Sequence, residues 1–152
     1  MPVHNVHPQA TPPVHAADVL AAHGLLLAVE ISIPEALAAA LTRQGKTLPP
    51  VAGGAALVDT GASCCAVEES LLAQLGLQPV RPVNVSSPNG SRLQNLYFAK
   101  LIFPGSPIPP LELEVIGVQM GQGRMLALIG RDFLRQCLLV YNGPAGNCSL
   151  AF

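Results

Sequence analysis

Proline and glycine set the length scale of this chain. Fifteen prolines and fourteen glycines in 152 residues leave short runs of Leu, Val, Ile and Ala between breaks, which favours short strands joined by tight turns. Residues 25–33 read as a first strand that stops at Pro34. Pro34 suits the first turn of a helix over residues 35–44, which Gly45 ends. Pro49-Pro50 and Gly53-Gly54 break the chain before the apolar run Ala55-Ala56-Leu57-Val58, read as a buried strand. Val67, Leu71, Leu72 and Leu75 fall at near-helical spacing, with Glu68 and Glu69 where the helix dipole favours them and Gly76 as a stop. Residues 83–85 and 93–103 flank Asn89-Gly90, a hairpin signal because both central residues of a type I′ turn need positive φ. Leu111-Glu112-Leu113-Glu114-Val115 alternates as a half-buried strand does. Residues 127–129 form another buried-strand candidate, residues 130–134 a short helix, and residues 138–141 and 148–152 a closing hairpin. The expectation is a mainly β domain that closes on itself like a barrel, with two or three short helices. It spans residues 24–152 and follows a flexible Pro- and His-containing leader over residues 1–23.

Composition narrows the function classes. Half the residues are hydrophobic and 11% are charged, so the chain folds rather than staying disordered. A net charge of -1 without runs of like charge argues against nucleic acid and anionic membrane as partners. No apolar stretch approaches the roughly 20 residues of a membrane span, and the start of the sequence lacks the form of a secretory signal; a cytoplasmic location is expected. The four cysteines are too few for a disulfide scaffold, and Cys64 and Cys65 are adjacent, so reduced thiols are expected. Cys64 reads as a small buried hydrophobe, and Cys137 and Cys148 as core. His4, His7, His15 and His23 all lie in the leader with no cysteine beside them, which argues against a metal site and against a histidine-assisted nucleophile.

Chemistry concentrates at Asp59, one of three aspartates in the chain. A carboxylate at the mouth of an apolar strand is costly to desolvate, so it is either hydrogen-bonded by its neighbours or there to react. Ala55-Ala56-Leu57-Val58-Asp59-Thr60-Gly61-Ala62-Ser63 resembles the active-site signature of the retropepsin-like aspartic proteases, the single-lobe relatives of the pepsins. Leu128-Ile129-Gly130-Arg131-Asp132-Phe133-Leu134 resembles the later motif that packs beneath the catalytic loop in that family. The resemblance covers residues 55–152, with the 83–103 hairpin between the motifs in the place of the family's flap.

The resemblance implies an endopeptidase that needs no metal or organic cofactor and acts on a peptide or protein. It makes Asp59 the catalytic carboxylate, Thr60 the residue that locks two catalytic loops together and Gly61 a backbone contact for substrate. Substrate contacts would come from Gly61, Ala62, Ser63, Ser87, Pro88, Asn89 and Gly90, with Leu128, Ile129, Gly130, Arg131 and Asp132 as structural support. Val85, Leu57, Ile129 and Leu126 are candidate pocket walls. One motif per chain implies a symmetric homodimer, because the chemistry takes two carboxylates. The competing reading is a non-catalytic dimerisation or peptide-binding module on the same fold. The sequence departs from the retroviral pattern where Cys64 and Cys65 follow Ser63 without an acidic residue, so Arg131 must pair elsewhere, with Glu68, Glu69 or a backbone carbonyl as candidates.

Overall fold

The apolar runs pair into two sheets in a computed structural model that describes residues 1–87, 90–121 and 123–152. In chain order the elements begin with β1 (Val3–Val6), α1 (Ala16–His23), β2 (Leu26–Ser32), α2 (Glu35–Arg43) and β3 (Ala52–Val58). The middle of the chain gives β4 (Ala66–Glu68), α3 (Glu69–Gln74), β5 (Arg81–Ser87), β6 (Gly90–Ile102) and β7 (Leu111–Val118). The last third gives β8 (Met125–Ile129), α4 (Arg131–Leu134), β9 (Leu138–Asn142) and β10 (Asn147–Ala151).

The larger sheet runs β2-β3-β8-β4-β7-β6-β5. Strand β2 also pairs with the far half of β6, through Glu30↔Ile102, Ile31↔Leu101 and Ser32↔Lys100. Hydrogen bonding therefore passes from β2 through five strands and returns to β2. The segment 25–48, whose purpose was not evident in the sequence, supplies this joining strand. Alternation decides which side of it faces inward: Leu27, Val29 and Ile31 are buried, while Leu26 and Ala28 are exposed. They join Val67, Leu72, Leu101, Val115 and Ile129 in one core. Helix α2 buries no residue fully and rests Ala38 and Leu41 on that core.

Two pairings that sequence periodicity misses build the centre of the sheet. Strands β3 and β8 lie side by side in parallel, with Leu57 beside Leu128 and Val58 beside Ile129. Strand β4 runs antiparallel on the other flank of β8 and parallel to β7. The helix expected from Val67 thus begins only at Glu69, because Val67 is a strand residue fully buried between Ala127 and Gly117. Gly53-Gly54, read as a break, lies inside β3. A Cβ on Gly54 would come within 2.6 Å of both the Arg124 carbonyl oxygen and Leu126 Cγ, so glycine is what lets β8 approach.

The leader expected over residues 1–23 contains ordered elements. Strand β1 pairs with β10, which pairs with β9, in a smaller sheet where Val3, Ala151 and Leu138 form one row. Helix α1 buries Leu20 completely, and the Tyr141 hydroxyl donates to the Leu20 carbonyl at 3.3 Å. Four residues of alternating burial carry too little periodicity to announce a strand whose partner lies at the other end of the sequence. Among the described residues no helix is long and apolar enough to cross a membrane, and none of their His, Cys, Asp or Glu side chains cluster to hold a metal ion.

Candidate active site

The strand order β3-β8-β4 dictates the site. A chain leaving β3 must arch over the end of β8 to reach β4, so residues 59–65 pass directly above Gly130. The Asp59 amide continues the ladder by donating to the Ile129 carbonyl at 3.0 Å. Within the loop, the Gly61 amide donates to Asp59 Oδ1 at 2.8 Å and the Ala62 amide to the Asp59 carbonyl at 3.2 Å. These bonds fix the Asp59 side chain against its own loop and leave its second oxygen unengaged among the described residues. Thr60 and Gly61 are exposed and Asp59 is half-buried.

The segment after β8 then holds the loop from below. Arg131 Nη1 donates to the Thr60 carbonyl at 2.8 Å and the Gly61 carbonyl at 3.0 Å. The Arg131 and Asp132 amides donate to the Ala62 and Ser63 carbonyls at 3.0 and 3.2 Å. Four consecutive loop carbonyls thus accept from two residues of the later motif. Of the partners open to Arg131 in the sequence, backbone carbonyls are the ones it uses. Glu68 accepts from the Met120 amide at 2.7 Å and from Ser70, which holds its carboxyl below the usual range. Glu69 accepts from Asn95 and from the Tyr97 hydroxyl, each at 2.9 Å, tying α3 to β6.

Asp132 stands where its carboxylate can join the two motifs. It accepts from the Cys65 amide at 2.9 Å, the Cys65 thiol at 3.0 Å and the Phe133 amide at 2.8 Å. The Gly130 amide in turn donates to Cys65 Sγ at 3.3 Å. Burial first, and then the bond to Asp132, push the Cys65 thiol up to about 12, so it stays a proton donor throughout the neutral range. Of the adjacent pair, Cys65 is the buried one and Cys64 is exposed, contrary to the core role expected of Cys64. Cys148 is buried and Cys137 half-buried. Alkylation of the native protein at neutral pH should label Cys64 first and leave Cys65 and Cys148 intact until denaturant is added. Mass mapping of the labelled peptides checks this, and early modification of Cys65 would contradict its place in the lock.

The hairpin β5–β6 and the loop close on one cavity of about 730 Å³. The loop contributes Ser63 and Cys64, the hairpin Val83, Val85 and Leu96, and α4 Asp132 and Phe133. Strand β7 adds Glu112, Glu114 and Ile116. The pairing of β3 with β8 brings Asp59, Thr60, Gly61, Ala62 and Ser63 together with Leu128, Ile129, Gly130, Arg131 and Asp132, and of these Ser63 and Asp132 line the cavity. Ser87 and Gly90 pair with each other at the end of the hairpin. Pro88 and Asn89 lie outside the described residues. Val85 lines the cavity, whereas Ile129 is fully buried and Leu57 and Leu126 lie elsewhere, Leu57 against Gly24 and Leu126 against Gly54. Sequence reasoning missed Arg81, Glu112 and Glu114; the alternation of residues 111–115 put both glutamates on one face, and the strand pairing that aims that face at the cavity was not visible.

No family model matches the sequence, and no curated protein matches it. Among solved structures the chain is similar to the protease of Simian Foamy Virus (mac), at 18% identity and a TM-score of 0.45 over 73% of this chain and 92% of that one. It is also similar to a retropepsin-like aspartic protease from Rickettsia conorii, at 12% identity and a TM-score of 0.43 over 83% of this chain and 91% of that one.

Proposed function

We propose that this protein is an aspartic endopeptidase of the retropepsin type, with a closed, barrel-like subunit that works as a symmetric homodimer. The observation that carries the reading is the loop itself: Asp59 sits at the end of β3, which lies between β2 and β8, on a loop whose next four carbonyls are clamped by Arg131 and Asp132. Such a clamp holds a reactive carboxylate in a fixed geometry, which a binding surface does not require. Among the described residues no other carboxylate shares a hydrogen bond with Asp59, so the second acid of the pair comes from a second copy. Two carboxylates within hydrogen-bond distance share one proton. The ionised one takes a proton from a water as its oxygen attacks the peptide carbonyl carbon, and the protonated one gives its proton to the carbonyl oxygen. Collapse of the resulting gem-diol breaks the C–N bond while a proton passes to the departing amine.

Two exposed features support pairing of copies. Thr60 presents its hydroxyl next to Asp59 with no partner among the described residues. On the outer face of the smaller sheet, Val3, Leu138 and Val140 are 54%, 59% and 48% exposed, an apolar face suited to self-association. Cleavage of a mixed peptide library between about pH 4 and about pH 7, where a carboxylate pair can hold one shared proton, tests the reading. At low enzyme concentration the rate should rise with the square of protein concentration and become linear once dimers are saturated. A rate linear throughout, from a species that sediments as a monomer, would overturn the dimer. A folded dimer that cleaves nothing would leave the cavity as a peptide-binding groove.

A further inference from the structure

The cavity beside the Asp59 loop is apolar on its inner wall and charged at one end. Val83, Leu96, Ile116 and Phe133 form the apolar part. Register explains the charged part. Arg81 on β5 sits opposite Leu96, Leu96 sits opposite Ile116 on β7, and Glu114 sits opposite Phe98, one same-face pair further along β6. Arg81 and Glu114 therefore lie on one face and reach towards each other across β6, with Nη2 and Oε2 3.7 Å apart. Both side chains are more than half exposed, at 58% and 54%, and a solvated pair at that distance is worth about 0–1 kcal/mol. A competing ligand can open it.

Glu112 shares that face. One of its oxygens accepts the Glu35 amide at 2.6 Å, and the other has no partner among the described residues. Lys100, opposite Glu112 on β6, is held by Glu35 at 3.5 Å. The charged side chains that line the cavity are thus Arg81 against Glu112 and Glu114, with the Asp132 carboxylate on the far wall engaged by Cys65 and Phe133. Carboxylates are in excess. The walls leading to them are aliphatic, as the stem of a long basic side chain requires.

We infer that this end of the cavity is a subsite for a basic side chain, so that the enzyme selects peptides carrying Lys or Arg near an apolar cleavage site. The aliphatic stem lies along Val83 and Leu96, and the charged head takes Glu114 from Arg81 with Glu112 beside it. This deepens the peptidase reading and rests on it.

The test uses peptides with a common apolar core that carry Lys, Gln or Glu at one position at a time on either side of the scissile bond. At one position the wild type should prefer Lys over Glu in kcat/KM by about fivefold, the discrimination expected of roughly 1 kcal/mol at a solvated site. Within the Glu114→Gln variant the Lys/Glu ratio should fall towards one, and within Glu114→Lys it should invert. High salt should erode the wild-type ratio, which a merely structural role would not produce. Binding of the same peptides to the Asp59→Asn protein, followed by calorimetry, reads recognition without cleavage. A Lys preference there with no cleavage by the wild type would keep the subsite and sink the peptidase. Cleavage with no charge preference at any position, or with a preference untouched by both Glu114 variants, would overturn the subsite and leave the peptidase standing.

Discussion

Replacement of Asp59→Asn should leave the fold intact and lower peptide cleavage by about 10³-fold or more, the scale of a lost acid–base pair. The amide has the size of the carboxylate, and its oxygen can still accept the Gly61 amide that now bonds Asp59 Oδ1. Stability should therefore stay within about 0.5 kcal/mol of the wild type, as urea unfolding would show. What the amide cannot do is take a proton from water. The same variant also probes assembly. Mixed in excess with wild-type chains, it should draw them into dimers with a single carboxylate and suppress their activity. Equal cleavage by wild type and variant would remove Asp59 from the mechanism. Wild-type activity that persists in a large excess of the variant would argue that one chain suffices.

Gly130→Ala should destabilise the protein by about 3 kcal/mol, at the upper end of overpacking costs, and abolish cleavage with it. The backbone at Gly130 is extended, with φ -88° and ψ -178°, so any residue could adopt the conformation. The obstacle is space. A Cβ there would lie 2.4 Å from the carbonyl carbon of Cys64, 2.5 Å from its oxygen and 2.9 Å from the Cys65 nitrogen. Those are backbone atoms of the arch that carries Asp59, and no rotamer change can relieve them. Gly123→Ala is the control: among the described residues its Cβ would approach nothing nearer than the Met125 nitrogen at 4.0 Å, and its cost should stay within about 0.5 kcal/mol. Similar unfolding midpoints for the two variants would contradict the close passage of the loop over Gly130.

The sequence is most legible where the decisive contacts are local. Strand β2 with its Pro34 boundary, helix α2, the β5–β6 hairpin and the β9–β10 hairpin each depend on neighbours a few residues away, and punctuation alone locates them. The two motifs were also readable, each as a short apolar strand ending in polar residues, and their meeting was implied only by the resemblance to the retropepsin-like proteases. What could not be read depends on partners far along the chain. Val67 has helical spacing from Leu71, yet its burial between β7 and β8 makes it a strand. Nothing in Cys64-Cys65 tells which thiol turns inward; the arch over Gly130 decides it, turning Cys65 towards Asp132. Arg131 offered the same ambiguity, resolved only when the loop carbonyls came within its reach.

The smaller sheet has a consequence for the order in which the molecule is built. Asn5 and Ser149, joined by a 2.7 Å side-chain hydrogen bond, are 144 positions apart. Strand β1 is thus synthesised long before its partner exists, whereas β9 and β10 are joined by a short turn and can pair as soon as they emerge. Closing so long a segment costs chain entropy that only a formed body can offset. During synthesis Val3 and Val6 wait without a sheet, and the docking of β1 onto the finished hairpin belongs among the last steps of folding. Activity in a nascent chain should therefore lag behind formation of the Asp59 loop, and the completed protein should regain accessibility at its first strand before it loses its core.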